Sequence, residues 1–251
     1  MLTEERRLKI LEIVEREGKA EIKALSELLG VSGATIRRDL RFLEREGLLR
    51  RARGGALPRG TKLEPPYTVQ ERRFLEDKKR IGAEAVKLIE DGDTIILEAS
   101  TTVLQIAKNL KNKGNITVVT NSITIAQELL FRRGMEIILT GGELNFNSLA
   151  LLGPLAERCF EELTVDKAFI GISAVDEECM STSTITEASV KKAIIASARE
   201  VIGVADHSKF GRRAFAFVAP VESLSRLITD KEAPGKIIER MRGKGVQVIL
   251  C

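Results

Sequence analysis

The segment at residues 31–43 constrains the fold of this chain more strongly than any other stretch. Ser32 stands where a helix N-cap belongs, and Val31 and Ile36 have the spacing of a hydrophobic staple across that cap. At about 100° per residue, one face of the predicted helix is apolar and the opposite face is cationic. The apolar face carries Ile36, Leu40 and Leu43, and the cationic face carries Arg38, Arg41 and Arg45, with Thr35 and Arg37 beside them. One face is therefore predicted to pack and the other to meet an anionic partner.

A second helical pattern lies immediately upstream, at residues 22–29, and Gly30 separates the two helices. This order of helix, short glycine turn and helix is that of a helix-turn-helix, whose second helix presents its N-terminal residues to base edges. Downstream, residues 47–56 alternate loosely and end in a glycine pair, which predicts a two-stranded ribbon with a basic tip. Such a ribbon would be a wing on the phosphate backbone. A solvated helix with scattered charges is the alternative, and these neighbouring features weigh against it.

The excess positive charge lies entirely in this N-terminal part. Residues 1–60 hold 14 Lys and Arg against 10 Asp and Glu, whereas residues 61–251 hold 26 of each. A local basic patch is what phosphate contacts require. The residues predicted to contact DNA are Ser32, Thr35 near base edges, Arg37, Arg38 and Arg41 in the groove, and Arg50, Arg51 and Arg53 on phosphates.

Three short motifs in this part resemble one protein family. They are Thr-Ile-Arg-Arg-Asp-Leu at residues 35–40, Leu-Glu-Arg-Glu-Gly-Leu-Leu-Arg-Arg at 43–51 and Gly-Gly-Ala at 54–56. Together they are similar to the DeoR family of bacterial transcriptional regulators, over the first 57 or so residues. The resemblance implies a winged helix-turn-helix domain at residues 1–57 that binds operator DNA, usually as a repressor of sugar-metabolism genes.

The remaining chain has a different organisation. Residues 58–66 hold three of the six prolines and predict an extended linker, followed by a charged connecting helix at 67–80. From residue 81, helical patterns alternate with short runs of Ile, Val and Leu, which indicates a buried, mostly parallel sheet. Strands are predicted at 94–97, 116–119, 136–139, 167–170, 201–205, 224–228 and 246–250, with helices at 81–90, 102–110, 123–131, 189–199 and 236–242. The expected domains are thus 1–57, a linker and connecting helix at 58–77, and an α/β domain at 78–251.

The loops after the predicted strands are polar and small, and ligands of such sheets bind at the carboxyl ends of strands. These loops begin with Glu98-Ala99-Ser100-Thr101-Thr102, Thr120-Asn121-Ser122, Thr140-Gly141-Gly142, Gly171-Ile172-Ser173 and Asp206-His207-Ser208-Lys209. Hydroxyls, glycine amides and a lysine are groups that bind a phosphate or a polyol. For any single loop, helix capping and turn closure are sufficient explanations. Five such loops on one edge favour a binding site.

The same loops extend the resemblance to the family's sensor domain, which is similar in fold to ribose-5-phosphate isomerase and typically binds a phosphorylated sugar or related metabolite. Further matching motifs lie at residues 91–94, 153–154, 165–169 and 206–211. The resemblance implies that Ser100, Thr101 and Thr102 hold phosphate, that Asn121, Gly141 and Gly142 line the pocket, and that Asp166, Glu187, Lys191 and Lys209 face the sugar.

Two positions depart from the family pattern. The first loop is commonly Asp-x-Gly-Thr-Thr, whereas this chain has Glu98 for the aspartate and Ser100 for the glycine. The loop after Gly142 commonly carries an arginine, and this chain has Asn145 instead. Because a bidentate cation is lost, a ligand with less negative charge, or with none, is an open alternative to a phosphorylated one.

Composition and the absence of certain motifs bear on membrane contact, disulfides, cofactors and metals. No apolar run approaches the roughly 18 residues of a membrane span, and the N-terminus is charged from its fourth residue, so a cytoplasmic protein without membrane contact is expected. The three cysteines are far apart and in no metal-ligand spacing, which favours reduced thiols. There is no nucleotide-binding glycine motif and no Cys/His cluster, so neither a cofactor nor a metal is expected.

Two other functions compete with a regulator. An enzyme with the isomerase fold could use its carboxylates and lysines for proton transfer, namely Asp166, Glu187, Lys191 and Lys209. The single histidine, His207, could serve as a base. An architectural DNA-binding protein would leave the polar loops unused. A regulator is the preferred hypothesis, and because two recognition helices are usually needed, a homodimer or homotetramer is expected.

Overall fold

The computed structural model describes residues 1–58, 66–110 and 114–251. The chain divides into two compact units, Met1–Phe74 and Leu75–Cys251. Residues 59–65 of the predicted proline-containing linker lie outside the described residues. In the part that is described, no helix is both long and apolar enough to cross a membrane.

The first unit has the predicted helix-turn-helix and wing. Its helices are α1 (Thr3–Glu17), α2 (Ile22–Leu29), α3 (Gly33–Arg45) and α4 (Tyr67–Arg72), and its strands are β1 (Ala20–Glu21), β2 (Leu49–Ala52) and β3 (Gly55–Pro58). The predicted ribbon is the antiparallel pair of β2 and β3, to which β1 adds a third strand on the far side of β3. The Ser32 hydroxyl accepts from the backbone N–H of Thr35 at 3.2 Å, so this residue is the N-cap of α3 as expected.

The core of the first unit is formed by the apolar faces of its helices. Ile10 of α1, Leu25 of α2 and Ile36 and Leu40 of α3 are all at most 1% exposed. Leu49 of β2 and Ala56 of β3 join the same cluster. The helical spacing of these residues therefore fixes which face of α3 is hidden, and its arginines lie on the other.

Gly55 allows the third strand to approach the wing. A Cβ atom built on this residue would lie 2.1 Å from the carbonyl oxygen of Ala20, which is closer than any side chain tolerates. The register pairs Glu21 with Gly55 and Ala20 with Ala56. A glycine is therefore required where β1 crosses close to β3.

The second unit is built on a seven-stranded, entirely parallel sheet in the order β15-β14-β12-β9-β4-β5-β6. These strands are β4 (Thr94–Leu97), β5 (Ile116–Thr120), β6 (Met135–Leu139), β9 (Val165–Gly171), β12 (Ala198–Ala205), β14 (Arg226–Thr229) and β15 (Gln247–Leu250). Its helices are α5 (Leu75–Ala85), α6 (Val103–Asn109), α7 (Ile123–Leu129), α8 (Pro154–Glu161), α9 (Ile185–Ser197) and α10 (Gly235–Gly243). The predicted α/β class with a mostly parallel sheet is confirmed.

Several predicted elements have different bounds. The connecting helix predicted at 67–80 is wrong as one element, because Arg73 is extended and Phe74 has a positive φ of 50°, which ends α4 and starts α5 separately. The helix predicted at 81–90 is the second half of α5 followed by one tight turn at Val86–Leu88. The helix predicted to reach residue 199 ends at Ser197, since Ala198 already pairs with Val165 in the sheet.

The sequence interpretation missed two small sheets and one helix. A hairpin of β7 (Glu143–Asn145) and β8 (Ala150–Leu152) follows β6, and α8 follows the hairpin. A three-stranded antiparallel sheet is formed by β10 (Ala174–Val175), β11 (Cys179–Thr182) and β13 (Ala216–Pro220). Strands of two to five residues have too few positions to reveal a periodicity.

Candidate functional site

The cationic helix α3 is attached to α1 by a buried ion pair. The Asp39 carboxylate is 1% exposed, and it accepts from Arg6 Nε at 2.6 Å and from Arg7 Nε at 3.0 Å. The Arg7 guanidinium also lies over the Phe42 ring, 3.6 Å from its centroid. Asp39 thus fixes the rotation of α3 about its own axis, a role that its place in the helical pattern did not reveal.

The opposite face of α3 is open, as predicted. Arg37, Arg38 and Arg41 are exposed, and within the described chain none of them forms an ion pair. The Thr35 hydroxyl is half-buried and lies 3.0 Å from Ser32 Oγ, so Ser32 and Thr35 are engaged with each other at the N-terminus of the helix. The three arginines form an uncompensated positive surface, which suits phosphate and base contacts.

The wing carries the other predicted cations. Arg50, Arg51 and Arg53 are exposed, with Arg53 in the turn between β2 and β3. Arg51 is already engaged, because its Nε donates to Glu44 of α3 at 2.7 Å and its backbone N–H donates to the same carboxylate at 3.0 Å. The side-chain and backbone hydrogen bonds from Arg51 lower the pKa of Glu44. Arg50 and Arg53 are therefore the freer cations of the wing.

In the second unit, the polar loops meet at the carboxyl edge of the sheet, which we call the rim: the loops after β4, β5, β6, β9 and β12. Asn121 is 1% exposed and joins two of them. Its Oδ1 accepts from the Ala99 N–H at 2.9 Å, and its Nδ2 donates to the Leu151 carbonyl at 3.2 Å. Both ends of this predicted pocket residue are thus used to hold the loops.

The loop after β4 is tightly packed. Ser100 Oγ accepts from the Thr102 backbone N–H at 3.2 Å, and Thr101 and Thr102 are buried. A Cβ atom on Gly171 would lie 2.2 Å from Ser100 Oγ, so the loops after β4 and β9 are in direct contact. Ser100 therefore packs directly against Gly171.

A buried ion pair that the sequence did not predict lies beside this contact. Lys191 Nζ donates to Glu98 Oε1 and to the Gly171 carbonyl, both at 2.7 Å, while Glu98 Oε2 accepts from the Gly171 N–H at 2.9 Å. Both side chains are less than 10% exposed. Lys191, predicted to face the ligand, is therefore neutralised by Glu98, and the pair connects α9 to the ends of β4 and β9.

The other rim residues are distributed around this pair. Glu187 Oε2 accepts from the Thr182 hydroxyl at 2.9 Å. Gly142 has a φ of 132°, and a Cβ atom there would meet the Leu152 carbonyl oxygen at 2.5 Å, so the loop after β6 lies against the hairpin. Gly141 is exposed, and a Cβ atom built on it would lie 3.7 Å from Leu155 Cβ at the start of α8.

One residue that was predicted to face the ligand lies at the opposite edge of the sheet. Asp166 is the second residue of β9 and lies at the amino edge of the sheet, opposite the rim. Its carboxylate accepts from the Thr94 N–H at 3.0 Å and from Arg199 at 2.9 Å. The prediction that Asp166 faces the sugar is therefore wrong, because a residue at the start of a parallel strand cannot reach the loops at its end.

Lys209 lies in a single helical turn, His207–Lys209, which follows β12. The turn begins at Asp206, whose Oδ1 accepts from the Ser208 N–H at 3.1 Å. Lys209 is half-buried and makes no ion pair within the described residues, so it is an uncompensated cation in the loop after β12. Among those residues no group of His, Cys, Asp and Glu side chains is arranged to hold a metal ion.

Family models match both units. A model described as "DeoR-like helix-turn-helix domain" matches residues 6–59, and one described as "DeoR C terminal sensor domain" matches residues 73–231. Together they span most of the chain. The motifs that indicated this family from the sequence are thus supported over both parts.

Whole-length relatives carry regulatory names. The "HTH-type transcriptional regulator GlpR" of Haloferax volcanii is 38% identical, with 99% of this chain and 98% of that protein covered. The "HTH-type transcriptional repressor GlcR" of Bacillus subtilis is 36% identical, with 100% and 97% covered. The "Glycerol-3-phosphate regulon repressor" of Escherichia coli K12 is 30% identical, with 96% of each covered.

Among solved structures, the chain is similar to ribose 5-phosphate isomerase A from Methanocaldococcus jannaschii, with 20% identity, 53% of each chain covered and a TM-score of 0.38. The regulatory names of the full-length relatives decide against the enzyme hypothesis. With a helix-turn-helix match in one unit, a sensor-domain match in the other and relatives at 30% identity or more over the whole chain, the protein belongs to the DeoR family of transcriptional regulators.

Proposed function

We propose that this protein is a repressor that binds operator DNA through α3 and the wing and leaves it when a phosphorylated sugar or related metabolite binds at the rim. The observation that carries the DNA-binding part is the anchoring of α3. A buried carboxylate, Asp39, holds one face of the helix, while Arg37, Arg38 and Arg41 on the other face are exposed. A rigid helix with an uncompensated cationic face is suited to reading a groove.

The effector part is supported by the rim and by the relatives. Residues with hydroxyl groups, two glycines and Lys209 lie in the loops at the carboxyl edge of the sheet, where ligands of α/β proteins bind. One relative is named a glycerol-3-phosphate regulon repressor. Ligand phosphate is assigned to Lys209 and the Ser100–Thr102 loop, because Lys191 is already neutralised by Glu98.

A less anionic effector is the second candidate, and two observations favour it. The Glu98–Lys191 pair has no net charge. Asn145 is uncharged, and its Oδ1 accepts from the Asn147 N–H at 2.8 Å within the hairpin turn. A polyol without phosphate would then use the hydroxyls and the ion pair. The effector experiment below includes both classes of ligand.

Self-association and location complete the proposal. Binding to repeated half-sites requires two recognition helices, so we propose a homodimer or homotetramer assembled through the second unit. Because operator DNA is the partner, we propose that the protein acts in the cytoplasm.

The DNA-binding part is tested with the full-length protein and a duplex selected from a random-sequence library. We expect Arg38→Ala to weaken binding to the selected duplex by about 1–3 kcal/mol and to relax the preference at one base position, as for a guanine contact. Arg50→Ala should weaken binding to all sequences alike and reduce the salt dependence. If neither change alters affinity at fixed salt, α3 is not the recognition helix.

The effector part is tested by titrating the protein–operator complex with glycerol 3-phosphate, with other sugar phosphates and with the corresponding unphosphorylated polyols. Release by a phosphorylated ligand but not by its polyol supports the first candidate, and the reverse supports the second. Lys209→Ala should bind the operator normally without ligand but need a higher concentration for release. Equal release midpoints for both proteins would exclude Lys209 from the site.

A further inference from the structure

The only histidine in the chain occupies a position that the proposed function does not explain. His207 begins the turn that carries Lys209, and its side chain is 13% exposed. Its backbone N–H donates to Asp230 Oδ2 at 2.7 Å, and its Nδ1 lies 3.0 Å from Asp230 Oδ1. Asp230 directly follows β14 and is fully buried. One carboxylate therefore holds both the backbone and the ring of His207.

The other ring nitrogen faces a second carboxylate. His207 Nε2 is 3.6 Å from Glu232 Oε2, which is longer than a hydrogen bond, and the Glu232 side chain is 67% exposed. The Glu232 backbone N–H donates to Asp230 Oδ1 at 2.9 Å, so Asp230 and Glu232 belong to one short segment. The imidazole thus lies between two carboxylates of the loop after β14.

The charge of the ring decides how many of these carboxylates it can bind. A neutral imidazole that donates from Nδ1 to Asp230 presents a lone pair at Nε2, which cannot donate to Glu232. A protonated imidazole donates from both nitrogens, and attraction then draws Glu232 towards Nε2. Protonation adds one link between the loop after β12 and the loop after β14.

We propose that protonation of His207 links two loops. In its charged form, the imidazole joins the turn bearing Lys209 to the segment at Asp230 and Glu232, and this contact fixes the position of Lys209 at the rim. The consequence for effector binding rests on the proposed function, in which Lys209 holds the ligand. The contact itself does not depend on that function. His207 thereby becomes a positioning residue for Lys209 rather than a catalytic base.

The charged groups around His207 favour its protonated form. The hydrogen bond to Asp230 raises the pKa of His207 above its ordinary value near 6.5, burial opposes this, and the charges of Asp230, Asp206 and Glu232 add to the rise. Burial raises the pKa of Asp230, but the hydrogen bonds from the His207 side chain and backbone outweigh it and lower the pKa overall.

Two neighbouring elements also present titratable groups to this cluster. On α5, burial and the charge of Asp230 raise the pKa of Asp77, which is paired with Arg80. After β15, burial raises the pKa of the Cys251 thiol, which lies near Asp230 and Arg80. Arg80 compensates Asp77 rather than the two carboxylates beside the ring.

The sign of the pH dependence follows from this arrangement. A raised pKa means that the folded protein holds the proton of His207 more tightly than a solvated histidine does. The link to Glu232 is complete below this pKa and is lost as the pH rises through it. Effector affinity carried by Lys209 should therefore fall as the solution becomes more alkaline.

The contact is tested by following the imidazole of full-length protein by NMR, since a single histidine gives a single set of ring signals. We expect a pKa above the ordinary value, a downward shift in Asp230→Asn and a smaller downward shift in Glu232→Gln. Lys231→Gln, a charge change at the exposed residue between these two carboxylates, is the matched control and should have a smaller effect than either. An ordinary pKa that no substitution changes would overturn the proposal.

The stabilisation of the turn by protonated His207 is tested by hydrogen exchange in the same proteins. The Lys209 and Phe210 amides donate to the carbonyls of Asp206 and His207, so their protection reports on the turn. Protection factors should be about threefold higher at pH 5.5 than at pH 8.5 in the wild type, as for one partly exposed ion pair. They should be independent of pH in His207→Gln. Equal protection at both pH values in the wild type would overturn the proposal that protonated His207 stabilises the turn.

The regulatory consequence is tested with glycerol 3-phosphate and inorganic phosphate. The ratio of wild-type to His207→Gln affinity is measured from pH 5.5 to 8.5, because ligand titration is common to both proteins and cancels in the ratio. The ratio should fall towards one as the pH rises, and a constant ratio would overturn the role of His207 at the rim. Absence of binding by the wild type at every pH would overturn both the proposed effector and the role of His207 in positioning Lys209 for it. The imidazole titration would still test the contact of His207 with Asp230 and Glu232 independently.

Discussion

At the scale of single residues, the protein uses buried carboxylates as fixed points. Asp39 holds α3 against α1, Glu98 holds Lys191 beneath the rim, and Asp230 holds the turn that carries Lys209. Each is at most 5% exposed. Burying such a charge is costly unless it is fully paired, so each fixes the position of its partners.

Asp39 offers the first prediction. Asp39→Ala should lower the free energy of unfolding of the first unit by about 3 kcal/mol, because Arg6 would be left buried without its carboxylate. The only tyrosine, Tyr67, is buried in this unit and the chain has no tryptophan, so tyrosine fluorescence during denaturation of the full-length protein reports on this unit alone. Glu46→Ala, which removes an exposed pair with Arg45, is the control and should cost under about 0.5 kcal/mol. Equal losses in the two variants would contradict the anchoring role of Asp39.

Asp176 offers a prediction about pH. Burial alone raises the pKa of Asp176, but hydrogen bonds from Arg213 and from the backbone of Cys179 and Glu178 outweigh it and lower the pKa to about 2. A lowered pKa stabilises the folded state above the ordinary value near 3.8, and this contribution disappears as the pH falls towards 2.

Asp176→Asn should therefore be less stable than the wild type at pH 7 by roughly 1 kcal/mol, after allowance for the exposed Arg213 partner. The difference should shrink between pH 4 and pH 3, as measured by scanning calorimetry. Glu239→Gln removes an exposed carboxylate of α10 and should leave stability unchanged at each pH. A difference that is constant with pH would show that the substitution acts through packing alone.

At the scale of elements, the wing depends on the close approach of β1 to β3. Gly55→Ala should destabilise the first unit by about 2 kcal/mol, because its methyl group would collide with the Ala20 carbonyl. Gly54→Ala, one residue earlier, meets nothing within 4 Å and suffers only from its φ of 82°, so a loss of about 1 kcal/mol is expected. Tyrosine fluorescence compares the two variants, and a larger loss in Gly54→Ala would mean that β1 does not restrain the wing.

The elements that the sequence predicted are those with a periodic pattern or a strong cap. Ser32 and the spacing of Ile36 and Leu40 located α3, and continuous Ile and Val runs located the strands of the parallel sheet. The two-residue β1 has no such pattern, and its pairing with β3 is decided by residues distant in sequence. The hairpin of β7 and β8 pairs locally, but its strands of three residues are too short to show a periodicity.

The candidate site was predictable only where position along an element determined it. Arginines opposite an apolar stripe had to be exposed, and loops after parallel strands had to share an edge. Asp166 was misplaced because its assignment came from a motif, whereas the structure places it at the second position of β9, at the amino edge of the sheet. The Glu98–Lys191 pair joins residues 93 positions apart, and a contact of that range leaves no local signal in the sequence.

At the scale of the whole molecule, two units with separate cores divide the proposed tasks. The first holds the entire positive excess and the recognition helix, and the second holds the sheet and the rim. A ligand at the rim alters DNA affinity only if it binds two states of the protein unequally. In a symmetric oligomer, such states differ in the spacing of the recognition helices.

The last prediction follows from that requirement. A single α3 can contact only a few base pairs, so high affinity requires two copies acting on two half-sites. We expect sedimentation at micromolar concentration to give a dimer or tetramer, and the selected duplex to contain repeated half-sites. Inserting five base pairs between them should abolish tight binding, because this rotates one half-site by about half a helical turn, whereas inserting ten should restore part of it. A monomer that binds one half-site as tightly as the full operator would exclude cooperation between recognition helices.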